Sequence, residues 1–414
     1  MNRVVITGIG VVSPLGNDPD TFFRALVEGR PGIRKLASPW SASLALPMAG
    51  TVDVDIDAHF SKIRRIGLDR VTLLALLAAR QAVSASGIAL AGTAGENAGL
   101  FWGTGMGGAT ALEASYHDLL VNRAARLKPT TIVMAMNNAA AGQIAIEAGI
   151  RGPSYTYSQA CSSSAVAIGE AYRAVRHGVV GTALAGGAEA LLTQGVLKAW
   201  ESLGTLANAG SDQPETACRP FAKDRSGFVL GEGAAALILE EHVAACRRGA
   251  SILAEIVGYG NTTDASHITQ PDAAGQARAM RMALAEADLE PSEIDHINAH
   301  GTGTKVGDVV ETRALKDVFG DFAKQVPISA TKALHGHLMG ATGALEFIAA
   351  VQAMREGVAP PTAHLWHPDP ECDLDYVPLV SRPLARSFNV MSNSFGFGGS
   401  NAVLVARRYR AASL

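Results

Sequence analysis

The residue best placed for chemistry in this sequence is Cys161, in the stretch SYTYSQACSSSAVAIGEA between Ser154 and Ala171. Small polar residues precede it, and a helical pattern of small and apolar residues follows. A thiol at a helix N-terminus lies beside unpaired N–H groups and the positive end of the helix dipole, which lowers its pKa and favours the nucleophilic thiolate. These N–H groups could also stabilise an oxyanion. A small buried residue is the alternative interpretation, because most lone cysteines have that role.

Two histidines lie in loops where catalytic groups of α/β proteins are often found. His300 follows a predicted strand in NAHGTGT, and His337 lies in TKALHGHLMGATGA before a predicted helix. Neither shows the i, i+4 spacing of a helical metal pair, and His335 beside His337 adds little, so we predict no metal site. Each histidine alone is more typical of a structural residue. Together with Cys161, they form a candidate nucleophilic centre.

A weak internal repeat relates the regions around Cys161 and His337. AVAIGEAYRAVRHGV (165–179) aligns without gaps with ALEFIAAVQAMREGV (344–358), and each predicts a buried helix that ends at a glycine. Each segment follows a stretch with candidate chemistry. The pattern indicates either a duplicated chain or a chance match between two alanine-rich helices.

Composition and pattern restrict the class of protein. The 414 residues are 48% hydrophobic and carry a formal charge of −3, which argues against nucleic acid as a partner. Strand patterns such as VVITGIG, AGLFWG, TALAGGAEA and AALILEE alternate with helical ones, which predicts an α/β fold. GTGMGG (103–108) lacks the context of a dinucleotide site, and we interpret it as a close backbone approach. No apolar run is long enough to span a membrane, and unpaired cysteines indicate a reducing, cytoplasmic location.

Taken together, these stretches resemble the β-ketoacyl-[acyl-carrier-protein] synthases of the synthase II type, which are Cys-His-His condensing enzymes. The resemblance covers nearly the whole chain. It is carried by VVITGIGVVSPLG, RGPSYTYSQACSSS, RPFAKDRSGFVLGEGAAALILEE, NAHGTGTKVGDVVE, TKALHGHLMGATGALE and NSFGFGGSNA.

The resemblance implies a thiolase-like fold, a duplicated five-layer αβαβα arrangement with pseudo-twofold halves. We expect an N-terminal half over 1–250, with the nucleophile Cys161, and a C-terminal half over 251–414, with His300 and His337. The implied activity is decarboxylative condensation of an acyl thioester with malonyl-acyl-carrier protein. It requires no cofactor, because phosphopantetheine arrives on the acyl carrier protein.

The resemblance also implies residue roles. Cys161 corresponds to the acylated nucleophile, and His300 and His337 to the pair that binds the malonyl thioester carbonyl. Other residues correspond to a charged pair at the second histidine (Lys332, Glu346), an acidic network (Asp308, Glu311), an oxyanion hole and gate (Phe397 with the Cys161 amide), the lining of the phosphopantetheine tunnel (Thr269, Thr302, Thr304) and the acyl pocket (Met106, Trp200). Independently of the resemblance, the two phenylalanines of the Gly-rich loop SFGFGGSN, Phe395 and Phe397, could cover the mouth of a substrate cavity.

The remaining alternatives concern pathway and partners. CSSS, HGTGT and His335 depart from many fatty-acid enzymes and favour a specialised polyketide or polyene pathway over housekeeping elongation. The Gly-rich loop SFGFGGSN lacks the cysteine that a thiolase needs there, and His337 replaces the asparagine of a synthase III enzyme. A non-catalytic chain-length-factor subunit would lack Cys161. We expect acyl carrier protein as partner, either a homodimer or a heterodimer with such a subunit, and basic docking contacts from Lys62, Arg64, Arg65, Arg126 and Lys128.

Overall fold

The computed structural model describes residues 1–208 and 213–410, which form fourteen strands and fifteen α-helices. The strands are β1 (Val4–Val12), β2 (Ile33–Lys35), β3 (Met48–Gly50), β4 (Ala98–Gly103), β5 (Ser154–Tyr157), β6 (Thr182–Glu189), β7 (Gly233–Glu241), β8 (Ala254–Thr263), β9 (His296–Asn298), β10 (Ile328–Ser329), β11 (Val358–Ala359), β12 (Arg382–Pro383), β13 (Asn389–Gly396) and β14 (Ser400–Arg407). The helices are α1 (Pro19–Val27), α2 (Ile56–His59), α3 (Lys62–Ile66), α4 (Arg70–Ser86), α5 (Thr93–Glu96), α6 (Ala109–Leu120), α7 (Thr131–Ala135), α8 (Ala139–Ala148), α9 (Ser163–Arg176), α10 (Gln194–Leu203), α11 (His242–Arg247), α12 (Ala273–Ala287), α13 (Lys305–Phe319), α14 (Lys332–His335) and α15 (Thr342–Glu356).

Ten strands form one mixed sheet in two halves of identical strand order. The order across the sheet is β5-β4-β6-β7-β1, then β8-β14-β13-β9-β10. If the five strands of each half are numbered in chain order, both halves read 3-2-4-5-1 from the outer edge of the sheet to its centre. The halves meet where β1 pairs antiparallel with β8, for example Val4 opposite Ile256. This arrangement confirms the predicted duplication.

Helices cover both faces of each half, which produces five layers. Helix α4 packs on the outer face of the first half, and α12 and α13 pack on the outer face of the second. Helices α9 and α15 lie between the halves, and their side chains share one buried core with β1, β6, β7, β8, β13 and β14. The apolar strands predicted from the sequence are therefore buried on both faces.

The sequence repeat corresponds to the two central helices and the turns that lead into them. We call the turn Ala160–Ser162 before α9 the first elbow, and the turn Met339–Ala341 before α15 the second elbow. Both elbows begin at a non-glycine residue in the left-handed region, with φ of 48° at Ala160 and 45° at Met339. Both helices are followed by left-handed glycines, Gly178 and Gly357. The repeat is thus structural and does not reflect a chance match.

The N-terminal ends of α9 and α15 pack against each other. A Cβ atom added to Gly343 would lie 2.8 Å from the Cβ of Ala165, so this contact requires glycine. The Ser164 hydroxyl accepts a hydrogen bond of 2.9 Å from the Ala344 amide. Because these helices start side by side, the loops before them converge on one place.

None of the helices in the described part of the chain is both long and apolar enough to cross a lipid bilayer.

Candidate active site

Three candidate catalytic side chains converge where the two halves meet. Cys161 comes from the first elbow, His300 from the loop after β9, and His337 from the residues before the second elbow. The Cys161 sulfur and one ring nitrogen from each histidine lie within 4.8 Å of one another. The histidine rings are 5.6 Å apart and nearly perpendicular. The fold therefore assembles the centre expected from the sequence.

The first elbow is held by the hydroxyl groups that follow Cys161. The Ser162 hydroxyl donates to the Gln159 carbonyl, at 2.9 Å, and the Ser163 hydroxyl donates to the Ala160 carbonyl, at 2.7 Å. Both serine side chains are buried. The backbone N–H groups of Cys161 and Phe397 interact with the sulfur, and both lower the pKa of the thiol. A carbonyl attacked by this sulfur would place its oxygen near two such donors, as an oxyanion hole requires.

The electrostatic environment of Cys161 differs from the sequence expectation. Burial raises the pKa of the Cys161 thiol to about 11, and this effect outweighs the opposing influences of Lys332 and of the Phe397 and Cys161 amides. The prediction of a lowered pKa was wrong in sign, because the sequence placed the thiol at a helix end but did not show that it is desolvated.

The tautomer of His337 is fixed by its surroundings. The Nδ1 atom accepts a hydrogen bond of 3.1 Å from the Met339 amide, and the Thr342 hydroxyl lies 2.8 Å away. The proton must therefore be on Nε2, which is buried and has no partner within the described residues. His337 thus presents an unpaired N–H donor to the site.

His300 is oriented by Lys332 in a similar way. The Lys332 ammonium donates to the His300 carbonyl and lies 3.4 Å from His300 Nδ1. An ammonium has only donors, so Nδ1 is the acceptor and Nε2 carries the proton. Burial first, and then the positive charge of Lys332, lower the pKa of both His300 and His337 well below the usual value. Two neutral imidazoles suit the stabilisation of an enolate oxygen, which needs donors and no strong base.

Lys332 is fully buried and paired with Glu346. Its ammonium lies 2.9 and 2.8 Å from the two Glu346 oxygens, and neither side chain is exposed. Burial raises the pKa of Glu346 to about 7, against the opposing effect of Lys332. A buried ion pair of this kind is expensive to form, and its value here lies in fixing His300. The pair was expected at the second histidine, His337, but its hydrogen bonds go to His300, because the Nδ1 atom of His337 is bonded by Met339 and Thr342 instead.

Asp308 and Glu311 on α13 shape the loop that carries His300. Glu311 accepts hydrogen bonds from the amides of His300 and Gly301, each at 2.8 Å. Asp308 accepts from the Gly303 amide at 3.1 Å and from the Phe221 amide at 2.7 Å. Both carboxylates are buried, and burial raises the pKa of each. Their hydrogen bonds therefore hold the backbone of the loop that carries His300.

A cavity of about 510 Å³ leads from the surface to the three groups. The hydroxyls of Thr302 and Thr304 lie 2.9 Å apart on its wall, and the exposed Thr269 lies at its mouth. Phe395 packs edge-on against His300 at 5.9 Å, and Phe397 stacks on Trp200 at 6.1 Å. The four side chains expected along the tunnel and gate, and Phe395 expected at the mouth, therefore all line this cavity.

The Cys161, His300 and His337 atoms also have the number and kind of donors that a zinc ion takes. Ligation by Nε2 of His337 would move its proton to Nδ1, which already accepts the Met339 N–H. A metal ion here would break that hydrogen bond. The site is better suited to an oxygen acceptor than to a cation.

Comparisons with known proteins agree with this geometry. The β-ketoacyl synthase N-terminal domain family matches residues 1–245, and the β-ketoacyl synthase C-terminal domain family matches residues 253–366. A 3-oxoacyl-[acyl-carrier-protein] synthase 2 of Staphylococcus aureus (strain N315) is 40% identical over 99% of each chain. Nodulation protein E of Rhizobium meliloti (strain 1021) is 43% identical over 98% of this chain and 99% of its own.

The chain belongs to the β-ketoacyl synthase family. Solved structures with similar folds include the ishigamide ketosynthase/chain length factor, with a TM-score of 0.91, 33% identity and coverage of 99% of this chain and 100% of that one. Another is a type II PKS acyl-carrier protein in complex with its ketosynthase bound to the hexaketide, with a TM-score of 0.90, 29% identity and the same coverage. The predicted family, thiolase-like α/β fold and class of activity, a condensing acyltransferase, are confirmed.

Met106 lies apart from the catalytic cavity of this synthase. Its side chain is 48% exposed and lines a second, open apolar cleft of about 590 Å³, together with Leu112, Tyr116 and Val196. Trp200 lines both cavities. Of the two residues expected to line the acyl pocket, only Trp200 thus reaches the catalytic cavity in a single chain.

His335 points away from the catalytic pair. Its Nδ1 lies 2.7 Å from the Gly336 carbonyl, its Nε2 lies 3.0 Å from the Thr331 hydroxyl, and its ring packs near Phe22. Burial lowers the pKa of His335 to about 3, and Lys332 adds to this effect. This neutral residue fixes the loop before His337.

Three neighbours of the site were not predicted from the sequence. Phe228 packs edge-on against His337 at 5.3 Å, Thr342 contacts its Nδ1, and Glu189 binds the second elbow. Only Glu189 left a signal, because it is a charged residue that ends the apolar strand pattern TALAGGAEA. The other two are ordinary residues whose roles depend on contacts distant in sequence.

The candidate docking cations differ in availability. Arg64 pairs with Glu147, and Arg65 pairs with Asp57. Lys62, Arg126 and Lys128 are exposed. The two arginines are therefore already partly neutralised by carboxylates of the same chain.

Proposed function

We propose that Cys161 takes an acyl group from acyl carrier protein and that His300 and His337 then drive its condensation with malonyl-acyl-carrier protein to 3-oxoacyl-acyl-carrier protein. The observation that supports this proposal most strongly is the convergence of the Cys161 sulfur with two histidine ring nitrogens within 4.8 Å at the base of one cavity.

In the first step, the Cys161 sulfur attacks the acyl thioester. The new bond joins sulfur to the acyl carbon, the bond to the phosphopantetheine sulfur breaks, and the thiol proton ends on that leaving sulfur. The amides of Cys161 and Phe397 face the oxygen that becomes negative. The acyl group remains as a thioester on Cys161.

In the second step, the malonyl thioester carbonyl accepts hydrogen bonds from the Nε2–H groups of His300 and His337. Loss of CO₂ leaves an enolate whose charge these neutral donors stabilise. Its electron pair forms the new carbon–carbon bond to the acyl carbon as the bond from that carbon to the Cys161 sulfur breaks, and the thiolate that leaves takes a proton from water. Lys332, Glu346, Asp308 and Glu311 hold His300 in place for this step.

Thr302 and Thr304 are proposed to bind the phosphopantetheine arm through their paired hydroxyls, with Thr269 at the mouth. The arm belongs to the acyl carrier protein, so the synthase needs no cofactor of its own. Exposed Lys62, Arg126 and Lys128 are the proposed contacts of that acidic carrier, and Arg64 and Arg65 contribute less because they are already paired.

A dimer is proposed to form through the free edge of β5, the outermost strand of the first half. Large apolar side chains are exposed in the same part of the chain, including Tyr116, Ile132, Ile146 and Tyr155. A second chain on this face would cover the cleft that Met106 lines. The partner is a second copy of this chain or a chain-length-factor subunit, which co-purification would distinguish.

The two units are proposed to divide at 250/251, within the connection between β7, which ends at Glu241, and β8, which begins at Ala254.

A specialised polyketide or polyene pathway is proposed on the basis of the CSSS and HGTGT runs and His335. A cytoplasmic location is supported by four free cysteines, which a reducing compartment maintains.

The test separates the two half-reactions. Cys161→Ala, His300→Ala and His337→Ala would each be incubated with acyl-carrier proteins of several chain lengths and with malonyl-acyl-carrier protein, and the mass of the intact enzyme and the release of CO₂ would be measured. Cys161→Ala should not be acylated. The histidine variants should be acylated but should lose at least ~10²-fold in decarboxylation. Acylation of Cys161→Ala, or normal decarboxylation by both histidine variants, would refute the assigned roles.

A further inference from the structure

Glu189 is a buried carboxylate that the proposed reaction does not use. It is the last residue of β6 and is fully buried. Its oxygens accept hydrogen bonds from the amides of Gly105 (2.6 Å), Met106 (3.2 Å) and Gly340 (3.0 Å), and the Thr104 hydroxyl donates at 3.2 Å. Three backbone donors from two distant loops thus converge on a single side chain.

The surroundings of Glu189 leave room for the carboxylate and for little else. A Cβ atom added to Gly105 or to Gly340 would lie 2.7 Å from a Glu189 oxygen. On Gly340 it would also lie 2.4 Å from the Gly105 nitrogen. Glycine at both positions permits this close approach, which accounts for part of the GTGMGG motif.

The internal repeat shows which part of the first elbow corresponds to the surroundings of Glu189. Gly340 is the counterpart of Cys161, since each follows the left-handed residue of its elbow, Met339 or Ala160. The first elbow faces the end of β13, where a Cβ on Gly396 would lie 3.3 Å from the Cys161 nitrogen. The second elbow faces the end of β6, the corresponding strand of the other half. The Glu189 carboxylate therefore accepts, at the second elbow, the amide equivalent to the Cys161 amide, which would bind an oxyanion in the proposed reaction.

The second elbow also determines where His337 lies. The acceptor Nδ1 of His337 is bonded by the Met339 amide and by Thr342, which stand on either side of Gly340 and Ala341. A shift of Gly340 would be transmitted to both of these partners. The same carboxylate holds the amide of Met106 in the loop beside the second cleft.

We propose that Glu189 is a positioning residue. It holds the second elbow, and through it the N–H donor of His337, in the position that His337 needs relative to Cys161. The inference rests on the proposed function, in which His337 binds the malonyl thioester carbonyl. The hydrogen bond from the Gly340 amide to Glu189 is the contact that joins the end of β6 to the second elbow.

Glu189→Gln is the informative substitution, because it keeps the size and removes an acceptor. Whichever way the amide lies, its NH₂ group faces at least one backbone N–H that the carboxylate had accepted. We expect kcat for malonyl-acyl-carrier-protein decarboxylation to fall about ten- to a hundred-fold, as for a small misplacement of a catalytic group. KM for the same substrate and the rate of Cys161 acylation should stay within about threefold of wild type. The substitution displaces the second elbow and His337, whereas acylation takes place at the first elbow.

Glu240→Gln is the matched control. Glu240 is also a buried strand carboxylate, but it binds Thr7 and Arg248, away from both elbows. It should leave both half-reactions unchanged even if its thermal midpoint falls. Should Glu189→Gln not fold, Thr104→Val removes one hydrogen bond to Glu189 and should give a smaller loss, about two- to threefold, in decarboxylation alone.

The inference would be overturned if Glu189→Gln slowed the two half-reactions equally, or if Glu240→Gln slowed decarboxylation as much as Glu189→Gln did. It would also be overturned if Glu189→Gln caused no loss or, where that variant does not fold, if Thr104→Val caused none. Failure of the wild-type protein to decarboxylate malonyl-acyl-carrier protein would instead refute the proposed function.

Discussion

The first and second elbows have the same backbone but different chemistry. Each begins with a left-handed residue, continues as a short 3₁₀ turn and leads into a buried central helix. In the first, the residue after the left-handed one is Cys161, and it faces a cavity. In the second, it is Gly340, and it faces the carboxylate of Glu189. A turn that presents backbone donors becomes a reactive site only when the opposite strand leaves the space open.

The charges beside the elbows also differ. Lys332 lies near Cys161 and lowers its pKa, although burial dominates. At the second elbow, burial raises the pKa of Glu189 to about 7, and the amides that bind it act in the opposite direction. The two turns are equivalent, but the first contains the nucleophile Cys161 and faces a cavity, whereas the second contains Gly340 and is held by the carboxylate that faces it.

The largest effect is expected from Lys332→Met, which removes the cation that binds His300 and lies near Cys161. It leaves Glu346 buried without its partner, which should lower the free energy of unfolding by about 3–5 kcal/mol. Condensation should fall by at least ~10²-fold, since His300 loses the donor at Nδ1. Chemical denaturation and a condensation assay measure the two effects.

The double variant Lys332→Met, Glu346→Gln is the control for the lost charge balance. It should recover much of the stability but not the condensation rate. Recovery of both would show that Lys332 has only a structural role.

The second prediction concerns the protonation of Cys161. Because burial raises the pKa of its thiol to about 11, the thiolate fraction should rise about tenfold per pH unit between pH 7 and 10. Alkylation by iodoacetamide, measured by peptide mass at Cys161, should follow this slope. A rate that is already level at pH 7 would indicate that the N–H donors of the first elbow outweigh burial.

A smaller effect is expected from Ser164→Ala, which cuts the hydrogen bond that joins the starts of the two central helices. Its hydroxyl accepts the Ala344 amide at 2.9 Å within a fully buried contact. Loss of the acceptor should lower the free energy of unfolding by about 1–3 kcal/mol. The exposed Ser84→Ala serves as control in the same denaturation experiment. An equal change in the two variants would argue against a specific role for this bond.

The smallest effect is expected from Ala160→Gly, which relieves the left-handed strain of the first elbow. The strain of about 1–2 kcal/mol for a non-glycine residue is partly offset by the greater entropy of glycine in the unfolded chain, about 0.4–1 kcal/mol. Net stabilisation between zero and about 1.6 kcal/mol should result, measured by denaturation. Ala285→Gly, at an exposed helical position, should instead destabilise by about 0.5–1 kcal/mol.

Much of the fold could be predicted from apolar patterns. The runs VVITGIG, AGLFWG, TALAGGAEA and AALILEE all lie in observed strands, and the repeat lies in α9 and α15. SFGFGGSN was expected as a Gly-rich loop, but its ends belong to β13 and β14, which pair in a tight hairpin. Its small residues hid the strand character, which comes from pairing and not from apolar content. β5 was missed because it is a short edge strand with exposed polar residues.

The site could be predicted in its members but not in its electrostatics. Motifs identified Cys161, His300 and His337 as candidates, and the fold brings them together. The sign of the Cys161 pKa shift, the Nε2 protons of the histidines and the exposure of Met106 all depend on neighbours from other parts of the chain. No local pattern contains these contacts.

The sequence by itself determined which residue types were available and where a weak internal repeat lies, because apolar period, glycine positions and motifs are local properties. Only the tertiary structure decided what each of the two equivalent elbows faces. A cavity faces Cys161 in the first elbow, and the carboxylate of Glu189 faces Gly340 in the second. Desolvation and the direction of hydrogen bonds arise from packing between distant segments, so they exist only once the two halves have met.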